Sequence, residues 1–132
     1  VLQLGSVIEN DFVTVQPDDT LGILTQAISK SRRNIFPVVD SEGMFIGIVQ
    51  MDDIRELMFD SHMYNSIYVR ELMTLPPEFI SIDEPMESVV QKFEITNAWN
   101  LPVLENGKYL GFVSKSKVFS AYRDVLVQFS DE

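Results

Sequence analysis

The sequence predicts an α+β fold in which one small unit is built twice, and three observations carry that reading. The first is a repeated phrase. Asn34-Ile35-Phe36-Pro37-Val38-Val39, followed by Gly43 and Gly47-Ile48-Val49, returns as Asn100-Leu101-Pro102-Val103-Leu104, followed by Gly107 and Gly111-Phe112-Val113. The second is hydrophobic periodicity that changes between strand-like and helix-like in the same order around both phrases. The third is size: 132 residues, 45% of them hydrophobic, make one ordinary domain or two small units sharing a core. A repeat in so short a chain means one supersecondary unit duplicated.

Each element has its own warrant. Phe12-Val13-Thr14-Val15 reads as a short strand stopped by Gln16-Pro17-Asp18-Asp19. Asp19 or Thr20 is placed to cap a helix with Leu21, Leu24 and Ile28 on one face. Ser31-Arg32-Arg33-Asn34 ends that helix, and a hairpin follows, its turn at Asp40 to Gly43, where Gly supplies the positive φ. Ile54, Leu57 and Met58 predict a second helix with Asp52 and Asp53 in its first turn, where the helix dipole favours carboxylates.

The polar stretch from Asp60 to Ser66 reads as a connector. Val69, Leu72 and Met73 give a helical turn before Pro76-Pro77 forces extension. Phe79 to Ile82 repeats the first strand. Asp83-Glu84-Pro85 opens a helix carrying Met86, Val89, Val90 and Phe93, then comes the Leu101–Val113 hairpin, and a last helix with Val118, Tyr122, Val125 and Leu126. The expected repeats are 1–66, with lead-in and connector, and 67–132. Each should pair its first two strands in parallel through a right-handed crossover and add the hairpin strand antiparallel. The result is a small mixed sheet with helices on one side, the copies related by a pseudo-two-fold axis with clefts between them.

Composition excludes several classes of function. A net charge of −10 argues against nucleic acid or an anionic lipid surface as the main partner, and no direct membrane insertion of this stretch is expected. No apolar run reaches the ~20 residues that span a bilayer, and no signal peptide is present. There is no cysteine, hence no disulfide and no thiolate metal site. His62 is the only histidine and reads as solvated. No Ser-His-Asp set, Gly-rich phosphate loop or spaced carboxylate pair supports an enzyme. The chain starts at Val1 without methionine, as a piece of a longer protein would.

The repeated Phe-Pro-Val-Val or Leu-Pro-Val-Leu strand, the Gly-bearing turn and the Gly-Ile-Val or Gly-Phe-Val strand running into a helix resemble a tandem pair of cystathionine-β-synthase (CBS) domains, a Bateman module, over about Val7 to Leu126. More narrowly, Ser31 to Asp40, Asp52 to Phe59, Thr96 to Val103 and Ser114 to Phe119 resemble the cytoplasmic C-terminal tail of bacterial CLC-type chloride channels and transporters. The resemblance implies a regulatory module that needs no cofactor and takes AMP, ADP or ATP as regulatory ligand. It also implies a homodimer attached to the transmembrane part of its parent, at the cytoplasmic face of the inner membrane.

In nucleotide-binding relatives a Thr or Ser at the end of the last strand and an Asp three residues later hold phosphate and ribose. Here the first copy has Gln50 and Asp53; the second has Ser114 and Lys117. Lysine offers no acceptor, and since charge-assisted bonds are worth about 1.5–3 kcal/mol, ribose recognition there should weaken roughly ten- to a hundred-fold. The positions carried over are Asp53, Gln50, Thr14, Ile35, Phe36 and Pro37 in the first copy, with Ser114, Lys117 and Asn100 in the second.

Each has a plainer reading. Asp52 and Asp53 complement a helix dipole, Gln50 is a surface residue, and Ser114 is a helix cap. Lys115 and Lys117 either neutralise phosphate or form a solvated face. Arg32 and Arg33 either meet phosphate or close a helix. Trp99 either stacks on adenine or packs beside a strand, with packing the commoner case. The methionines from Met44 to Met86 read as adaptable packing. Two functions therefore stand open: a nucleotide sensor acting through Asp53, and a structural or dimerisation module without ligand. The parent is open too, since a magnesium or cobalt transporter, a nucleotide-biosynthesis dehydrogenase or a stand-alone sensor also carries such modules.

Overall fold

The structure, a computed structural model, describes residues 4–130, with side chains to Gln128. The chain divides into two compact units: Asp11–Pro76, and the lead-in up to Asn10 together with the stretch from Pro77 onward.

In the Asp11–Pro76 unit, β1 (Ile35–Val39) and β2 (Phe45–Gln50) form the antiparallel hairpin. The Asp40 carboxylate shapes its turn by accepting from the N–H groups of Glu42 and Met44, both at 2.9 Å, and Gly43 takes φ +84°. The expected strand Phe12–Val15 shrinks to one parallel bridge. Val15 N–H donates to the Pro37 carbonyl, and Val39 N–H donates to the Val15 carbonyl. Pro37 is the reason: with no N–H, it cannot continue the ladder toward Val13.

Thr20, and not Asp19, caps α1 (Leu21–Lys30), its Oγ1 accepting from the Ile23 N–H at 3.3 Å. Asp19 instead closes the preceding turn by accepting from the Gln16 N–H. Leu21, Leu24 and Ile28 are buried, as their spacing requires, in a core with Phe36, Val38, Val49, Ile54 and Val69. The second helix is shorter than expected. α2 covers Met51–Ile54 only, and Leu57 and Met58 lie in a separate 3₁₀ turn. The Tyr64 hydroxyl donates to the Met58 carbonyl and so supplies a partner the helical ladder would otherwise need.

The connector has structure of its own. The carbonyls of Tyr64 and Ile67 accept from the N–H groups of Gly22 and Leu21, which ties it to the start of α1. After α3 (Val69–Leu72), Thr74 exchanges two 2.8 Å backbone bonds with Ile48 on the outer edge of β2.

The other unit repeats this order. β3 (Ile80–Ser81) pairs in parallel with β4 (Asn100–Glu105), which pairs antiparallel with β5 (Lys108–Ser114). β3 is again shorter than expected, beginning beyond Pro102, which lacks the N–H that Pro37 lacks. Both hairpins carry a bulge, at Val38/Val39 and at Val103/Leu104. Asn106 and Gly107, at φ 53° and 82°, make the two-residue turn that matches strand twist. α4 (Met86–Thr96) buries Val89 and Phe93 and ends on Asn97 in the left-handed conformation. α5 (Lys115–Ser130) follows β5 directly. Here the edge position filled by Thr74 in the first unit is taken by Glu9, which exchanges two bonds with Phe112 at 2.8 and 2.9 Å. Leu4 is buried with Ile80, Phe93, Leu101, Val103 and Val118, so the lead-in is part of this core.

Candidate ligand-binding site

In the Asp11–Pro76 unit the start of β1 and the end of β2 meet where α2 begins. Ile35 and Gln50 are cross-strand partners, and the Asn34 carbonyl accepts from the Met51 N–H at 2.9 Å. Gln50 precedes the helix in extended conformation, exposed, with no side-chain cap bond. The two acidic residues beyond it separate. Asp52 pairs with Arg55 at 2.5 Å, whereas Asp53 is exposed and has no hydrogen bond or ion pair among the described residues. Ile35, Gln50 and Asp53 thus gather at one end of the sheet.

Thr14 is exposed and precedes Val15, whose N–H reaches the Pro37 carbonyl. Phe36 is fully buried in the core and Pro37 is buried as well, so neither offers a side chain to a ligand. Arg33 is committed to structure: its guanidinium makes two bonds to Asp11, at 3.1 and 2.7 Å, and stacks 4.4 Å over the Phe12 ring. Arg32 is exposed.

The equivalent place in the other unit is chemically different. Asn100 and Ser114 are cross-strand partners, and the Trp99 carbonyl accepts from the Lys115 N–H at 2.9 Å, reproducing the Asn34–Met51 link. Ser114 Oγ accepts from the Lys117 N–H at 3.2 Å and so caps α5. The Lys117 ammonium lies 3.4 Å from the Glu9 carboxylate. Nothing in the lead-in sequence marked Glu9 for that role, because no period runs through it. Trp99 is 76% exposed and does not pack as expected; Lys115 Nζ lies 5.7 Å from its ring and 5.8 Å from that of Phe119. This second place therefore holds a capped helix start and a neutralised lysine, while the first holds an uncommitted amide and carboxylate.

Among the described residues no group of three His, Cys, Asp or Glu could hold a metal ion, and no helix is long and apolar enough to cross a membrane. His62 is exposed, with its backbone N–H bonded to Asp60.

Comparison with known proteins agrees with the twofold architecture. The CBS domain matches twice, at residues 4–60 and 69–124. The chain belongs to the CBS domain family. It is a tandem CBS pair with an α+β fold, a regulatory module by kind.

A methylated protein of Methanocaldococcus jannaschii is 30% identical over 105 residues, covering 78% of this chain and 58% of that protein. Inosine-5′-monophosphate dehydrogenase of Aquifex aeolicus is 29% identical over 105 residues, covering 77% of this chain but 21% of the enzyme. The matched stretch is therefore a part of each of these longer proteins. Among solved structures, CbpB in complex with c-di-AMP has a TM-score of 0.75 at 14% identity, covering 98% of this chain and 90% of that one. CBSX2 in complex with AMP has 0.72 at 20% identity, covering 95% and 98%. The soluble part of a magnesium transporter has 0.73 at 16% identity, covering 92% and 48%. At these identities the likeness is one of fold.

Proposed function

We propose that this CBS pair, read as repeats 1–66 and 67–132, senses an adenosine nucleotide through the Asp11–Pro76 unit. On this reading it regulates a membrane transport protein of the CLC chloride-channel type, from the cytoplasmic face of the inner membrane. The carrying observation is Asp53. Its neighbour Asp52 is consumed by Arg55, while Asp53 stays exposed and unpartnered three residues after Gln50. A carboxylate can accept from both ribose hydroxyls, and the Gln50 amide can donate to phosphate. Two proteins of the same fold have been solved with AMP and with c-di-AMP, and a third is the soluble part of a transporter, which supports both halves of the reading. The channel type rests on the residue phrases given above.

Calorimetric titration with AMP, ADP and ATP tests the sensing role. Saturable heat that Asp53→Ala removes is the expected result; no heat at millimolar nucleotide would refute it. Long apolar helices encoded upstream of Val1 would support the channel parent, and a dehydrogenase catalytic domain there would replace it.

A second reading, homodimerisation as the principal task, has its own observation. Between α4 and α5 lies a groove lined by Val90, Phe119, Tyr122 and Leu126, with Glu94 and Arg123 at its margin. Leu126 is 50% exposed. Light scattering tests this reading: a dimer whose mass does not change on nucleotide addition, with no thermal shift, favours it over sensing.

A further inference from the structure

β3 is the outer strand of its sheet, and the backbone groups that point away from β4 are taken by side chains and a turn. The Ile82 N–H donates to the Leu104 carbonyl on the β4 side. Backbone groups alternate sides along a strand, so those of Phe79 and Ser81 face outward. The Phe79 N–H donates to the Glu78 carboxylate at 3.0 Å, and the Phe79 carbonyl accepts from Lys92 Nζ at 2.7 Å. The Ser81 N–H donates to the Glu84 carboxylate at 3.1 Å, and the Ser81 carbonyl accepts from the Glu84 N–H at 3.0 Å. Lys92, reaching over from α4, ties the set together. Its ammonium lies 3.0 Å from Glu84, 3.7 Å from Glu78 and 5.6 Å from the centre of the Phe79 ring. The stretch so closed is well suited to pairing. Phe79-Ile80-Ser81-Ile82 is uncharged and rich in strand-forming residues, and Phe79 is half-exposed.

We infer that the outer edge of β3 is a latent pairing surface whose partner is the same edge of a second copy, and that Lys92 keeps it shut by holding the Phe79 carbonyl. Exposed edges are commonly closed by charged side chains, lysine above all. Two copies of Phe79–Ile82 running antiparallel about a two-fold axis would match donor to acceptor along the whole run. The same arrangement sets Glu78 of each copy opposite Asp83 of the other, and like charges across a strand pair oppose pairing. The lysine and the flanking acids therefore work in the same direction, one by occupying the edge and the others by repulsion.

Sedimentation over a concentration series, combined with amide exchange on the whole chain, tests this. Lys92→Met should add an association step absent from the wild type, and salt should strengthen it by screening Glu78 and Asp83. In the associated form the Phe79 and Ser81 amides should exchange roughly tenfold or more slower than in the same variant when dilute. Lys92→Arg, which can still donate to the Phe79 carbonyl, should behave as wild type. So should Lys108→Gln, which removes the same charge from an exposed position elsewhere in the unit. If Lys92→Met fails to fold, Lys92→Gln, uncharged and one atom shorter than lysine, takes its place. A folded variant that sediments as wild type at every concentration and salt level would overturn the inference. Association that leaves the Phe79 and Ser81 amides unchanged, or that is equally strong in Lys108→Gln, would overturn it as well.

Discussion

Gly47 lies directly beneath the carbonyl of Thr74: a Cβ at Gly47 would come within 2.8 Å of that oxygen. Real Cβ atoms do not approach backbone oxygen so closely, so the residue before Ile48 must be glycine for Thr74 to pair with the edge of β2. Gly47→Ala should therefore destabilise the Asp11–Pro76 unit by about 1–3 kcal/mol, the usual cost of overpacking. Urea denaturation checks it; an unchanged midpoint would mean that the edge segment yields freely.

The division of labour between neighbouring carboxylates is open to mutation. Asp52→Ala should leave nucleotide heat unchanged and cost at most about 0.5 kcal/mol, since an exposed i,i+3 pair is worth little. Asp53→Ala should cut nucleotide affinity roughly ten- to a hundred-fold, the loss of a charge-assisted bond, with little effect on the thermal midpoint. Equal effects from both variants would show a general field of negative charge.

Thr20→Ala should lower stability by about 1 kcal/mol through loss of the N-cap of α1. Asp19→Ala should act differently, by loosening the turn at Gln16 while leaving the cap in place. Helical amide exchange at Ile23 distinguishes them, rising in the first variant alone.

Much of this was legible in the sequence, because glycine, proline and apolar spacing are local signals. Leu21, Leu24 and Ile28 had to share a face, and Asn106-Gly107 had to turn. The shortened first strands were less legible, although Pro37 and Pro102 carried the cause: the missing N–H belongs to the partner strand and not to the strand it cuts short. The helix after Ile54 is fragmented, and the Met58 carbonyl there accepts from the Tyr64 hydroxyl, a tertiary bond that no period records. At the site, the spacing from Gln50 already favoured Asp53 through the family resemblance, and the side-chain geometry adds that Asp52 is taken by Arg55. Glu9 and the exposure of Trp99 were invisible, being set by side-chain geometry alone.

Acid should act on the unit containing α4 through Glu84. Burial raises its pKa, but bonds from Ser88 Oγ at 2.5 Å, from the Ser81 N–H at 3.1 Å and from Lys92 at 3.0 Å outweigh this and hold the carboxyl below its ordinary 4.5. A folded pKa below the unfolded one contributes stability in full above the ordinary value and loses it as pH falls through the folded value. Glu84→Gln should therefore be less stable than wild type at neutral pH, and the gap should close on acidification. A constant gap, measured by denaturation at several pH values, would contradict this.

If the α4–α5 groove is an interface, Leu126→Glu should convert a dimer to monomer without lowering the stability of the monomer, because Leu126 is half-exposed there. Sedimentation at several concentrations checks it; an unchanged mass would place any self-association elsewhere.

Placing Glu9 against Phe112 joins two segments that have the whole Asp11–Pro76 unit between them in sequence. As the chain leaves a ribosome, the Asp11–Pro76 unit holds every residue it needs before the second hairpin exists. The other unit must wait for β5 to emerge before its lead-in, made ahead of both hairpins, has an edge to settle on. Leu4 and its apolar neighbours therefore stay without their partners while the Asp11–Pro76 unit and the second hairpin are made, and misfolding during translation should concentrate at that segment.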